Sequence, residues 1–160
     1  GDGLLVGGLA VVNAIGGVVD ITTGCLVAGP RWDNDNGFYD TTELMISPRY
    51  RRSQPEVRLR ENTTLCVVAT NASLSKEQAT KLAERGQDGM TMAIRPSHTM
   101  GDGDIVFALA TGTREGIINR TQLNSLGAAA TKVMARAILR GVTQAVGLGG
   151  VPGIKELALV

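Results

Sequence analysis

The sequence predicts an α/β fold in which helices pack on a sheet. Two apolar, β-branched runs predict it, Thr63 to Thr70 (TTLCVVAT) and Ile105 to Ala110, because each is followed by a long segment of helical periodicity. The resulting order of strand, helix, strand, helix after residue 63 is that of a layered domain. With 160 residues, of which 43% are hydrophobic and 19% charged, the chain can form one core without disulfide or metal staples.

Taken from the start, Leu4 to Val12 is too short and too rich in glycine for a stable helix, and it reads as a strand buried on both faces. Asn13 closes it. Val18 and Val19 begin a second short segment, and Cys25 to Ala28 returns after a Thr-Thr-Gly turn in hairpin fashion. Residues 30–62 read as a long exposed connection, with turn formers from Asp33 to Gly37 and prolines at 48 and 55. A loop of that length inside a compact domain is usually functional or disordered. Its arginines at 49, 51, 52, 58 and 60 read as a solvated surface, or alternatively as a contact for a partner subunit or an acidic ligand.

Ser75 and Gln78 have the form of a capping box, after which Ala79, Leu82, Ala83, Gly86, Met90, Ala93 and Ile94 fall on one helical face until Pro96 stops the helix. A second helix is expected from Thr121 to about Ala145, with Leu123, Leu126, Ala130, Val133, Ala137 and Ile138 facing inward. Gly147 to Gly153 breaks it, and Ile154 to Val160 is expected to dock as an edge segment.

Composition excludes several function classes. Sixteen basic residues against 15 acidic ones give no reason to expect nucleic acid or an anionic membrane as partner. The apolar start is interrupted by Asn13 and glycines and has no basic region before it, so it reads as a core strand followed by a turn rather than as a signal peptide or membrane helix. A cytoplasmic location is the expectation, with Cys25 and Cys66 both buried and reduced. The chain starts at Gly1 without an initiator Met and reads as a fragment or a processed piece. There is no GxxxxGK[ST] loop and no HExxH; a lone His98 and two cysteines 41 positions apart make no recognisable metal site, so no metal or cofactor is expected. His98 itself reads as an exposed or hydrogen-bonded loop residue.

One junction offers chemistry. Asn62-Thr63-Thr64 joins the long connection directly to the best strand, so a peptide bond there can be presented to the hydroxyl of its own threonine. If it breaks, the new terminus carries an α-amino group of unperturbed pKa about 8, close enough to neutrality to take the proton of its own hydroxyl. Asp102 and Asp104, at i and i+2 on a strand entry, point to one face and can serve one amino terminus; their other reading is a plain Asp-Gly turn.

The run from Asn62 to Thr70, the helix holding Ser75 to Ala83, Ile94-Arg-Pro-Ser-His-Thr99 and Gly101-Asp-Gly-Asp-Ile-Val-Phe-Ala-Leu-Ala-Thr-Gly112 together resemble the DmpA-type aminopeptidase family. Val11-Val-Asn-Ala14 and Val18-Val-Asp20 extend the resemblance over nearly the whole chain, and it is strongest to the nylon-oligomer hydrolase branch. The resemblance implies a four-layer αββα sandwich of the N-terminal-nucleophile kind and a precursor that cuts itself before Thr63. Residues 1–62, with the exposed linker 30–62, would end the alpha subunit, residues 63–160 would form the beta subunit, and the two would make one structural domain.

By the same resemblance Thr63 is the nucleophile, Asp102 and Asp104 are the acidic pair that positions and polarises it, and Asn13 helps form the oxyanion pocket. Other branches carry Ser and Glu at the two acidic places, which favours the nylon-hydrolase side here. The resemblance also implies a homotetramer of cleaved protomers, needing no metal or cofactor, and further pocket residues on a segment before Gly1. The expected activity is hydrolysis of linear amides in short peptides or in oligomers of ω-amino acids such as 6-aminohexanoate. The alternatives are a DmpA-like aminopeptidase or β-aminopeptidase, an acyltransferase like ornithine acetyltransferase, and a non-catalytic domain that keeps the fold uncut.

Overall fold

A computed structural model describes residues 3–32, 37–48, 50 and 62–157. The element order is β1 (Val6–Val11), β2 (Gly17–Val19), β3 (Leu26–Ala28), α1 (Thr41–Ile46), β4 (Leu65–Ala72), α2 (Lys76–Ala93), β5 (Ile94–Arg95), β6 (Ile105–Arg114), α3 (Arg120–Gln144) and a 3-10 turn (Ile154–Glu156). The main sheet has the order β1-β4-β6, with β1 antiparallel and β6 parallel to the central β4. A second, smaller sheet has the order β3-β2-β5.

The parallel pair β4 and β6 is joined through α2, as a parallel connection requires. Strict alternation in β4 sends Cys66, Val68, Thr70 and Ala72 inward. There they meet Val106 of β6, Leu82 and Met90 of α2, and Met134 and Ile138 of α3, which together form the aliphatic core. Both helices start where the chain caps them: Ser75 with Gln78, and Asn119 with Gln122, each form a reciprocal capping box.

The opposite face of the main sheet is left bare by the described residues. Pairing aligns Val11, Leu65 and Ile105 across the three strands, then Leu9, Val67 and Phe107, then Gly7, Ala69 and Leu109. Leu9, Val11, Leu65, Ile105, Phe107 and Leu109 of this grid are exposed. The described chain thus supplies one helical layer and one sheet layer of the αββα order that the resemblance implies.

Several local expectations are corrected. The first strand is not buried on both faces: Leu9 and Val11 are exposed, because helices cover only one side of the sheet. Ile94 lies not within the helix but at its C-cap, with extended backbone (φ −115°, ψ 123°), and it begins β5, where β2 offers it a ladder partner in Val18. Cys25 is exposed, held at a hairpin tip by Asp20 N–H donating to the Cys25 carbonyl at 2.9 Å. The 30–62 connection is not structureless where it is described, because Asp40 caps α1 through bonds from the N–H groups of Thr42 and Glu43. Trp32 N–H donates to the Gly37 carbonyl at 2.9 Å, and the turn formers expected at 33–36 lie outside the described part. All five linker arginines, at 49, 51, 52, 58 and 60, also lie outside it. Of the tail expected to dock as an edge segment, the described start forms a 3-10 turn, tied to the glycine segment by Glu156, which accepts from the N–H groups of Gly147 and Gly153.

Candidate active site

The apolar grid continues past its last hydrophobic row into a polar one. Beyond Val11, Leu65 and Ile105 the three strand ends bring together Asn13, Thr63 and Gly103. Thr63 N–H donates to the Asn13 carbonyl at 2.9 Å, Gly103 N–H donates to the Asn62 carbonyl at 2.8 Å, and Ile105 N–H donates to the Thr64 carbonyl at 3.0 Å. The Asn62–Thr63 peptide is therefore gripped on both sides, its N–H by β1's end and its carbonyl by the turn before β6. Donation to that carbonyl polarises it, as a hydrogen bond to a developing oxyanion does.

Gly103 has a further role in the packing. A Cβ on it would lie 2.7 Å from the Thr63 hydroxyl oxygen, so only glycine lets the acidic turn approach the threonine this closely. The two carboxylates that flank Gly103 face different partners. Asp104, whose side chain is fully buried, accepts from Thr64 N–H at 2.8 Å through Oδ1 and from His98 N–H at 3.1 Å through Oδ2. Asp102 accepts from Ile15 N–H at 3.2 Å through Oδ1, and through Oδ2 from the Thr99 hydroxyl at 2.7 Å and Thr99 N–H at 3.3 Å. Among the described residues no hydrogen bond joins the Thr63 hydroxyl to either carboxylate.

The five residues singled out from the sequence, Asn13, Asn62, Thr63, Asp102 and Asp104, thus lie together at one end of the main sheet. Asn13 engages Thr63 through its backbone carbonyl and accepts from Asn62 Nδ2 through its side-chain oxygen at 3.4 Å. Sequence reasoning missed Gly103, Thr99 and the bond from His98. Asp-Gly-Asp was a visible signal for a turn, whereas the approach of that turn to Thr63 exists only once β4 and β6 pair. Cys66 lies two residues into β4 from Thr64; burial first, and then the negative charge of Asp104, push its thiol up to about 12.

A cleft of about 480 Å³ opens beside the junction, lined by Asn13, Asn62 and the mostly apolar Val12, Ala14, Ile15, Gly16, Val18, Ala28, Gly29, Pro30 and Val142. Among the described residues no group of three or more His, Cys, Asp and Glu is arranged to hold a metal ion, and no helix is long and apolar enough to cross a membrane.

Residues 1–155 match Peptidase family S58. The chain belongs to this family. An uncharacterized aminopeptidase of Mycobacterium leprae is 36% identical over 170 residues, covering 94% of this chain and 43% of the relative. A 6-aminohexanoate-oligomer endohydrolase of Paenarthrobacter ureafaciens is 30% identical over 142 residues, covering 82% of this chain and 39% of the relative. The S58 chain described here spans less than half the length of these relatives. Among solved structures, the L-aminopeptidase D-Ala-esterase/amidase of Ochrobactrum anthropi, a variant of the Ntn hydrolase fold, is 21% identical with a TM-score of 0.48, covering 66% of this chain and 32% of that one.

Proposed function

We propose that this S58 chain is the catalytic part of a self-cleaving N-terminal-nucleophile amidohydrolase, cut between Asn62 and Thr63. The observation that carries the reading is the grip on that one peptide bond: its carbonyl accepts from Gly103 N–H at 2.8 Å while the Thr63 hydroxyl rests against Gly103. In the precursor the Thr63 hydroxyl attacks the Asn62 carbonyl, the amide nitrogen leaves as the new α-amino group, and water resolves the ester. Residues 1–62 and 63–160 then act as two subunits of one domain.

In the mature enzyme the freed amine takes the proton of the Thr63 hydroxyl, which attacks the substrate amide, and the acyl ester is released by water. Asp104, hydrogen-bonded to the next peptide N–H, places a buried negative charge beside that amine and favours its protonated form, while Asp102 fixes the turn that carries Gly103. Asn13 marks the oxyanion side of the site.

The substrate is a linear amide, either a short peptide with a free amino end or an oligomer of an ω-amino acid. The apolar walls of the cleft suit a chain of methylenes, and relatives named as aminopeptidases and as 6-aminohexanoate-oligomer endohydrolases support both classes. A homotetramer of cleaved protomers is part of the proposal. The test is Thr63→Ala in the full chain, resolved on a denaturing gel and assayed on an amino-acid p-nitroanilide and a 6-aminohexanoate oligomer. Loss of both cutting and hydrolysis is expected; retention of cutting refutes the role of Thr63.

A further inference from the structure

His98 sits in a segment that the proposed chemistry does not use. Among the described residues it is the one non-glycine with a left-handed backbone, φ 55°. That conformation is disfavoured for a residue with a Cβ, and such strain collects where the surroundings over-determine a functional geometry. In this conformation the His98 N–H donates to Oδ2 of Asp104 at 3.1 Å, while Thr64 N–H holds Oδ1 at 2.8 Å. The imidazole lies farther off, with Nδ1 3.9 Å from Oδ2, and its side chain is 37% exposed against 0% for Asp104.

A buried carboxylate keeps its orientation only if both oxygens have donors. Two backbone N–H groups supply them, one from each side. The Thr64 donor lies at the entry to β4, whereas the His98 donor comes from a loop residue whose backbone is left-handed. Thr99, the next residue, is itself tied to Asp102 through its hydroxyl and N–H, so the segment from His98 to Thr99 serves both carboxylates in turn.

We propose that His98 is a positioning residue whose left-handed backbone aims its N–H at Asp104 and so fixes that carboxylate beside the Thr63–Thr64 peptide. The role belongs to the backbone and not to the ring. It rests on the reading of Thr63 as nucleophile, because the carboxylate matters to catalysis only if the adjoining amine and hydroxyl react.

The test compares three variants of the full chain. His98→Gly adopts φ > 0 without strain and keeps the N–H; His98→Asn tolerates the same conformation; His98→Val resists it. For each, the extent of cutting at Asn62–Thr63 is read by intact mass, and kcat and KM are measured on whichever amide the wild type hydrolyses. The Gly and Asn variants are expected to keep kcat within about twofold, whereas Val lowers it about tenfold or more with KM little changed, as for a lost transition-state contact. A Gly variant as impaired as Val would assign the effect to the imidazole and overturn the proposal, as would a Val variant with wild-type kcat. Should Val fail to fold, His98→Ala takes its place, because its Cβ also disfavours φ > 0: kcat lowered beside intact Gly and Asn variants upholds the proposal, and wild-type kcat overturns it. An uncut wild type overturns the Thr63 reading and this one with it, and is distinguished by mass before any variant is compared.

Discussion

Thr63 and Cys66 stand three residues apart on the same chain segment, yet they meet opposite environments. Thr63 is half-buried at the polar end of the sheet, while Cys66 faces the core with no exposed surface. The raised pKa of Cys66 has two consequences. A thiol reagent at pH 8 should label Cys25 in the folded protein and leave Cys66 untouched, which peptide mapping after alkylation reads directly. Because the folded value is raised from 9.0 to about 12, the unfolded chain loses this proton first, so the stability it contributes is complete below about pH 9 and is lost as pH rises toward 12. Urea titrations of wild type and Cys66→Ala across that range should show the slope in the first and less of it in the second. The residues of the proposed site were singled out where a sequence signal is local, Asn62-Thr63-Thr64 at a strand entry and the two aspartates in a turn, and their roles came from the family resemblance. Gly103 and His98 were not, since one acts by the absence of a Cβ and the other by a backbone torsion. Neither property is written in a hydrophobic pattern.

The two long helices were legible for a physical reason, namely periodicity, with the Ser75–Gln78 cap marking the first, and they end within a few residues of the expected bounds; the Asn119–Gln122 cap of the second emerged only in the structure. Their mutual contact was not legible. At the crossing, Gly89 of α2 lies against the Thr131 carbonyl of α3, where a Cβ would collide, and the Thr131 hydroxyl donates across the interface to the Arg85 carbonyl at 2.9 Å. Gly89→Ala is therefore expected to destabilise the fold by about 1–3 kcal/mol despite the better helix propensity of alanine, because the helices must separate. Thermal or urea unfolding checks this, and an unchanged or raised midpoint would show that the crossing gives way freely. Met134 and Ala135 were missing from the expected inward face of α3 although both are buried, because that helix is covered by α2 on one side and β1 on another. An apolar stripe read at a single period cannot show a second neighbour.

Over the whole molecule, the feature least visible in the sequence is the bare grid on the main sheet. Continuous apolar strands predict cover on both faces, and the described chain covers one. An exposed apolar surface of this kind marks an interaction site, and it runs without a break into the row that holds Asn13, Thr63 and Gly103. Whatever layer lies over Leu9, Phe107 and Leu109 would also form a wall of the proposed site, consistent with a chain that spans less than half the length of its relatives. The central claim nevertheless concerns one covalent bond. Its most direct measurement is the intact mass, with N-terminal sequence, of the purified active protein in full-length form. The account predicts two associated pieces, the second beginning Thr63-Thr64-Leu65-Cys66; hydrolysis by a protein in which Asn62 and Thr63 are still joined would contradict it.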